Sequence, residues 1–161
     1  MANLTSIMTK IDFYILGSAD PADRLQMVCK LINKATNRGQ RVFVHSDDQA
    51  LLEQLDECLW HFQPERFVAH RLLNSAEDAA GIAENAPETA ADELESVLLS
   101  TSTPTRTDAV FVNLAKSVPV FFSRFERTLE VIDRQETTRL EGRERYRFYK
   151  ERGYPLQHHN L

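Results

Sequence analysis

A chain of 161 residues that is 42% hydrophobic and 27% charged has the proportions of one globular domain, large enough for a two- or three-layer core. Its formal net charge of -5 argues against general coating of DNA, which needs a broad basic surface. No stretch is apolar for the length of a bilayer span and residues 1–9 lack a basic start, so the sequence reads as a cytoplasmic protein without membrane contact.

In chain order, residues 11–16 are almost continuously apolar, the mark of a strand covered on both faces as in a parallel sheet. Gly17 ends that strand, and Asp20-Pro21 opens a helix over 21–38, with Asp20 as N-cap and Pro21 in the first helical position. Leu25, Val28, Cys29, Ile32 and Ala35 recur at core-facing spacing until Gly39 stops the helix. A second strand over 41–45 completes a right-handed βαβ unit.

Ser46, three residues before Gln49, fits a capping box for a helix over 47–60 that carries Leu51, Leu52, Leu55, Cys58 and Leu59 on one side. Cys29 and Cys58 read as small core residues of a reducing compartment, not as a disulfide or metal pair. Three bulky rings gather where this helix ends at Trp60-His61-Phe62-Gln63-Pro64, and residues 66–70 read as a short extended segment. This corner is either a hydrophobic seal on the sheet or an exposed aromatic patch that docks a partner.

Residues 77–95 hold seven acidic side chains and no Lys or Arg, within a variable acidic segment at 74–107 that ends in a Thr/Ser/Pro-rich run; it reads as either a solvated loop or a weak acidic helix over 88–96, with room for a short strand at 95–100. Further strands are predicted at 109–114 and 128–132. Val118, Phe121, Phe122 and Phe125 have the spacing of a short amphipathic helix over 118–125.

A helix over 135–152 closes the fold. Residues 134–152 carry seven Arg or Lys against four Glu, a local net of +3 in a chain of -5. At about 100° per residue, Arg139, Arg143, Tyr146, Arg147 and Lys150 fall within roughly one quadrant. Long cations around an aromatic ring suit an acidic peptide or a phosphate. The alternative is a solvated helix laced by i,i+4 pairs such as Glu141 with Arg145.

Chemistry is sparse. The first strand-to-helix turn, Gly17-Ser18-Ala19-Asp20-Pro21-Ala22-Asp23, has one glycine and two carboxylates, unlike a dinucleotide-binding fingerprint, and no Gly-Lys-Ser/Thr loop exists. His45 ends a strand beside Asp47 and Asp48, where a structural role is the commoner one, and His158-His159 lacks ligand-spaced partners and reads as tail. No cofactor, metal or catalytic residue is expected.

Leu55-Asp56-Glu57-Cys58-Leu59-Trp60, then Pro64, then Phe67-Val68-Ala69-His70, then Arg143-Glu144-Arg145-Tyr146-Arg147-Phe148-Tyr149 closing on Gly153 resembles the chi subunit of the bacterial DNA polymerase III holoenzyme. The likeness runs along nearly the whole chain in the same order, from Phe13-Tyr14-Ile15-Leu16 onward, although Ala69 stands where proline is expected. It implies a non-catalytic α/β protein, one domain over 1–161 with a Rossmann-like layout, a mostly parallel sheet and flanking helices. It further implies an adaptor in the clamp-loader assembly that pairs with the psi subunit and captures the acidic C-terminal tail of single-stranded-DNA-binding protein, reaching DNA only indirectly. By this resemblance Arg139, Arg143, Tyr146, Arg147 and Lys150 form the tail site, and Trp60, Pro64 and Phe67 face psi. Two other classes stay open: a small Rossmann-like nucleotide-binding enzyme using the strand ends near Gly17 and His45, and direct stacking of single-stranded DNA on the last helix.

Overall fold

A computed structural model describes residues 8–62, 70–73, 96–104 and 108–161. The elements run β1 (Lys10–Ile15), α1 (Pro21–Asn37), β2 (Val42–His45), α2 (Gln49–His61), β3 (His70–Leu72), β4 (Val97–Ser100), β5 (Val110–Asn113), a 3-10 turn (Phe122–Arg124), β6 (Arg127–Ile132), α3 (Glu136–Glu151) and β7 (Leu156–Asn160). The seven strands form one sheet in the order β3-β4-β2-β5-β6-β1-β7, and every neighbouring pair is parallel. This is the α/β layered fold that the alternation of buried runs and capped helices predicts.

The two faces of the sheet bury different side chains. On β2, β4 and β5 the residues Val42, Val44, Val97, Leu99, Val110 and Val112 pack into an aliphatic core with α1 and α2. The intervening Phe43, Leu98 and Phe111 point the other way, into a core with Phe121, Phe122, Phe125 and Tyr149. Period-two alternation thus sorts aliphatic residues to one side and rings to the other, and α3 lies on the aromatic side.

Helix starts follow side-chain chemistry. Asp20 accepts from the Ala22 N–H at 3.0 Å, as expected of an N-cap before Pro21. At α2 the cap is Asp48, which accepts from the Ala50 N–H at 3.0 Å, and the expected Ser46 capping box does not form. The Ser46 hydroxyl instead accepts from the Asp48 N–H at 3.0 Å and donates to the Leu114 carbonyl at 3.4 Å, tying β2 to β5. Across the α1–α2 contact the two cysteines are free thiols, with their sulfurs 3.2 Å apart.

Three further expectations are corrected. Only the 3-10 turn replaces the helix expected over 118–125, because Pro119 disfavours helical backbone at Val118 and leaves room for bonds such as Phe122 N–H to the Pro119 carbonyl at 3.2 Å. The rings still bury. His158 and His159 are not tail but lie in β7, which pairs with β1 from Leu156 opposite Ile11 to Asn160 opposite Ile15. Arg145 does not pair with Glu141 on the surface; it is buried, only 3% exposed.

Candidate functional site

Helix α3 is fixed at both ends and along its inner face. Its first turn is tied to the loop after β1 by Arg134 N–H to the Ser18 carbonyl at 2.8 Å and by Gln135 Nε2 to the Ala19 carbonyl at 3.1 Å. Gly153, with φ of 79°, sits beyond its C-terminus in the left-handed region that glycine tolerates. Gly142 lets the helix close on the sheet: a Cβ there would lie 2.8 Å from Ile132 Cδ1.

Beneath the helix, a polar network centres on Glu130 of β6, which is fully buried. Its carboxylate accepts from Arg145 Nε at 2.8 Å, from the Tyr149 hydroxyl at 2.7 Å and from Asn113 Nδ2 at 2.9 Å. Arg145 Nη1 also donates to the Lys116 carbonyl at 3.0 Å, while its Nη2 has no acceptor among the described residues. Burial, and then the adjacent carboxylate, push the Tyr149 phenol well above its ordinary pKa, so it remains a donor. A buried ion pair of this kind specifies one seating of the helix, because any shift would leave a charge unpaired in the core.

That seating turns Arg139, Arg143, Arg147 and Lys150 to solvent and leaves Tyr146 half-buried. Arg139, Arg143 and Tyr146 line a groove of about 230 Å³, together with Gly142, Phe13 and Ile15 of β1, Ile132 of β6 and His158 of β7. The Tyr146 ring stands edge-on to Phe13 at 5.4 Å and lies 5.1 Å from His158. Arg139 and Arg143 have no ion-pair partner among the described residues, whereas Arg147 pairs with Glu144 at 3.3 Å. Arg147 and Lys150 therefore extend the basic face without lining the groove. Two free guanidiniums at the rim and an apolar floor suit a ligand that ends in a carboxylate next to an apolar side chain.

Sequence reasoning missed the floor. Phe13, Ile15 and Ile132 read only as strand core, and they face one groove because parallel pairing puts Ile15 opposite Ile132. The two-residue spacing of Phe13 and Ile15 was the available signal; His158 offered none.

At the other expected surface, Trp60 ends α2 with 53% of its area exposed, and its ring stands edge-on to His70 at 4.9 Å. His70 Nε2 in turn lies 3.0 Å from Asp56 Oδ1. Pro64 and Phe67 fall outside the described residues.

At the carboxyl ends of the strands, where a nucleotide-binding enzyme would place its ligand, the polar side chains make local hydrogen bonds. Asp47 accepts from the Lys116 N–H at 3.4 Å, Ser18 accepts from the Asp20 N–H at 3.0 Å, and His45 is buried with Nδ1 donating to the Ser100 carbonyl at 3.0 Å. Burial lowers the His45 pKa below its ordinary value, opposed by Asp47 at 3.9 Å. Among the described residues no cluster of three or more His, Cys, Asp or Glu side chains could hold a metal, and no helix is long and apolar enough to cross a membrane.

The family profile described as "DNA polymerase III chi subunit, HolC" matches residues 8–157. A protein of Pseudomonas aeruginosa named DNA polymerase III subunit chi is 36% identical over 154 residues, covering 96% of this chain and 98% of its own. Namesakes from Escherichia coli and Haemophilus influenzae are each 25% identical and cover 92% of this chain, and 96% and 95% of their own. Among solved structures, the crystal structure of T4 UvsW superposes with a TM-score of 0.64 at 10% identity over 100% of this chain and 43% of that one, a likeness of fold alone.

Proposed function

The chain belongs to the DNA polymerase III chi subunit family, and from that premise we propose that it is a non-catalytic adaptor in DNA replication whose α3 groove captures the acidic C-terminal tail of single-stranded-DNA-binding protein, while the Trp60 corner docks the psi subunit of the clamp loader. One observation carries the tail site: Arg139 and Arg143, free of ion pairs among the described residues, stand at the rim of an apolar groove walled by Tyr146. An acidic peptide places its carboxylates on the guanidiniums and its terminal side chain on Phe13, Ile15 and Ile132. Arg147 and Lys150 add potential along the row without touching the groove. The half-exposed Trp60 supports the psi surface, with Pro64 and Phe67 beside it in sequence.

A titration with an acidic nonapeptide ending in Phe tests the tail site. A hydrogen bond to a charged group is worth about 1.5–3 kcal/mol, so Arg143→Ala weakens binding roughly tenfold to a hundredfold, and rising salt weakens the wild type. Equal affinities, or a wild type indifferent to salt, would leave the basic face as ordinary solvated surface.

A further inference from the structure

The α3 groove has a second rim, formed by the edge strand β7, and a histidine stands on it. On the reading of this groove as the tail site, we propose that His158 is a third ligand-binding residue there, whose imidazolium takes a carboxylate of the acidic peptide, so that capture strengthens as pH falls.

Strand geometry separates the two adjacent histidines. Parallel pairing puts His158 opposite Phe13 and His159 opposite Tyr14, and successive strand residues point to opposite faces of the sheet. His159 therefore turns away from α3, where its ring stacks on Tyr14 at 4.4 Å and its Nε2 meets the buried Asp12 at 3.1 Å. His158 turns toward α3. Its ring lies 5.1 Å from Tyr146 and 6.3 Å from Phe13, and it lines the groove with Arg139 and Arg143. One histidine is thus committed to a carboxylate of its own chain. The other is exposed, with no hydrogen-bond or ion-pair partner among the described residues.

The two sets of cations stand on different sides of the floor. Gly142 brings α3 against Ile132 of β6, whereas β7 lies across β1 from β6, so the arginines approach from the helix and His158 from the sheet edge. No carboxylate lines the groove. The acids of α3 nearest the two arginines are used elsewhere: Glu144 pairs with Arg147 at 3.3 Å, and Glu141 acts on Arg24. Leu156 and Asn160, on the same face of β7 as His158, are uncharged, as are Phe13, Ile15 and Ile132. The charged and titratable groups facing His158 are therefore Arg139, Arg143 and the Tyr146 hydroxyl.

A polar side chain on a sheet edge has an ordinary role, since it discourages pairing with another chain. That role does not call for a ring laid against Tyr146 and Phe13 at the mouth of a groove that already holds two unpaired guanidiniums. A carboxylate bound there meets cations from both sides, and the one on β7 exists only when the imidazole is protonated. Imidazole ordinarily changes charge between about pH 5 and 8, while carboxylates, phenols and guanidiniums keep theirs across that range. Acidic peptides are the ligands whose affinity such a residue can tune.

Calorimetric titration of the acidic nonapeptide ending in Phe against the full chain, at about pH 8 and about pH 5.5, is the test. An exposed charge pair is worth up to roughly fivefold in affinity, so the wild type should bind about threefold to fivefold more tightly at the lower pH. His158→Gln keeps a hydrogen-bonding side chain without the charge; it should match the wild type at high pH and lose the gain at low pH. His158→Lys, charged at both, should bind at high pH as tightly as the wild type does at low pH. A wild type that binds equally at both, a His158→Gln chain that keeps the pH response, or a His158→Lys chain as weak as His158→Gln at high pH overturns the proposal. In each of those cases weaker binding by Arg143→Ala leaves the tail site standing. No binding of the peptide at either pH overturns both.

Discussion

Replacing Glu130 with alanine removes one acceptor from three buried donors at once. Arg145 Nε, the Tyr149 hydroxyl and Asn113 Nδ2 all lie within 2.9 Å of its carboxylate oxygens. The largest cost is the guanidinium left charged in the core, about 3–5 kcal/mol for a buried pair broken on one side. Two remaining bonds limit the damage: Arg145 keeps the Lys116 carbonyl at 3.0 Å and Asn113 keeps the Ser117 carbonyl at 3.4 Å. The three donors share one acceptor, so their losses do not add, and the expected total is about 4 kcal/mol. For a chain of this size that lowers the melting temperature by roughly 8–16 °C. Denaturant unfolding of Glu130→Ala, Arg145→Met and the double variant is the assay. The double variant should be more stable than the sum of the singles by at least about 2 kcal/mol, because it leaves no unpaired charge. A single substitution costing under about 1 kcal/mol, or strictly additive values, would refute the view that this pair seats α3.

Three other outcomes are expected. Gly142→Ala should change stability by less than about 1 kcal/mol, because helix propensity offsets a rotation of the Ile132 tip, whereas Gly142→Val, with two more methyl groups against Ile132, should cost about 1–3 kcal/mol by thermal unfolding. Burial depresses the His45 pKa below about 6.5, so the unfolded chain binds the proton first; stability is full above that pH and falls as pH drops through it. Unfolding of His45→Gln across pH 5 to 8 should therefore show a flatter dependence than the wild type, and parallel curves would remove His45 from the account. A thiol reagent should label the half-buried Cys58 in the native protein and Cys29 only after denaturation, since burial first, then the Cys58 thiol, push the Cys29 thiol up; equal rates would contradict that packing.

What the sequence displayed depended on whether a contact is local. The runs at Val42–His45 and Val110–Asn113 were legible because a parallel sheet buried on both faces writes itself as continuous apolar sequence, whereas Val97–Ser100, just as buried, was offered only as a short strand inside the variable acidic segment. The Arg139, Arg143, Arg147 row was legible because helical spacing alone sets it. β7 was not, since Leu156-Gln157-His158-His159-Asn160 joins the edge through main-chain bonds that any residue can make. The 118–125 helix failed because ring spacing outweighed Pro119 in the reading, and the capping box failed because Asp48 competes with Ser46 for the same role. The groove floor required a register between β1 and β6, strands more than a hundred residues apart.

Arg145 shows how α3 escapes the usual rule for charged helices. A helix with arginine on most of its turns has little apolar surface to hold it down, and its buried positions are Gly142, Arg145 and Tyr149. Glycine supplies close approach, and the other two supply hydrogen bonds to one strand carboxylate. The visible clue was that carboxylate: Thr128-Leu129-Glu130-Val131-Ile132 places an acid at an interior strand position, where only a buried cation or strong donors could satisfy it. Directional bonds fix rotation about the helix axis more tightly than apolar contacts do, because a small turn breaks them. Arg143 and Tyr146 flank Arg145 in sequence and so inherit that fixed rotation, which is why the outer face meets Phe13 and Ile132 as a groove instead of lying as a loose charged surface.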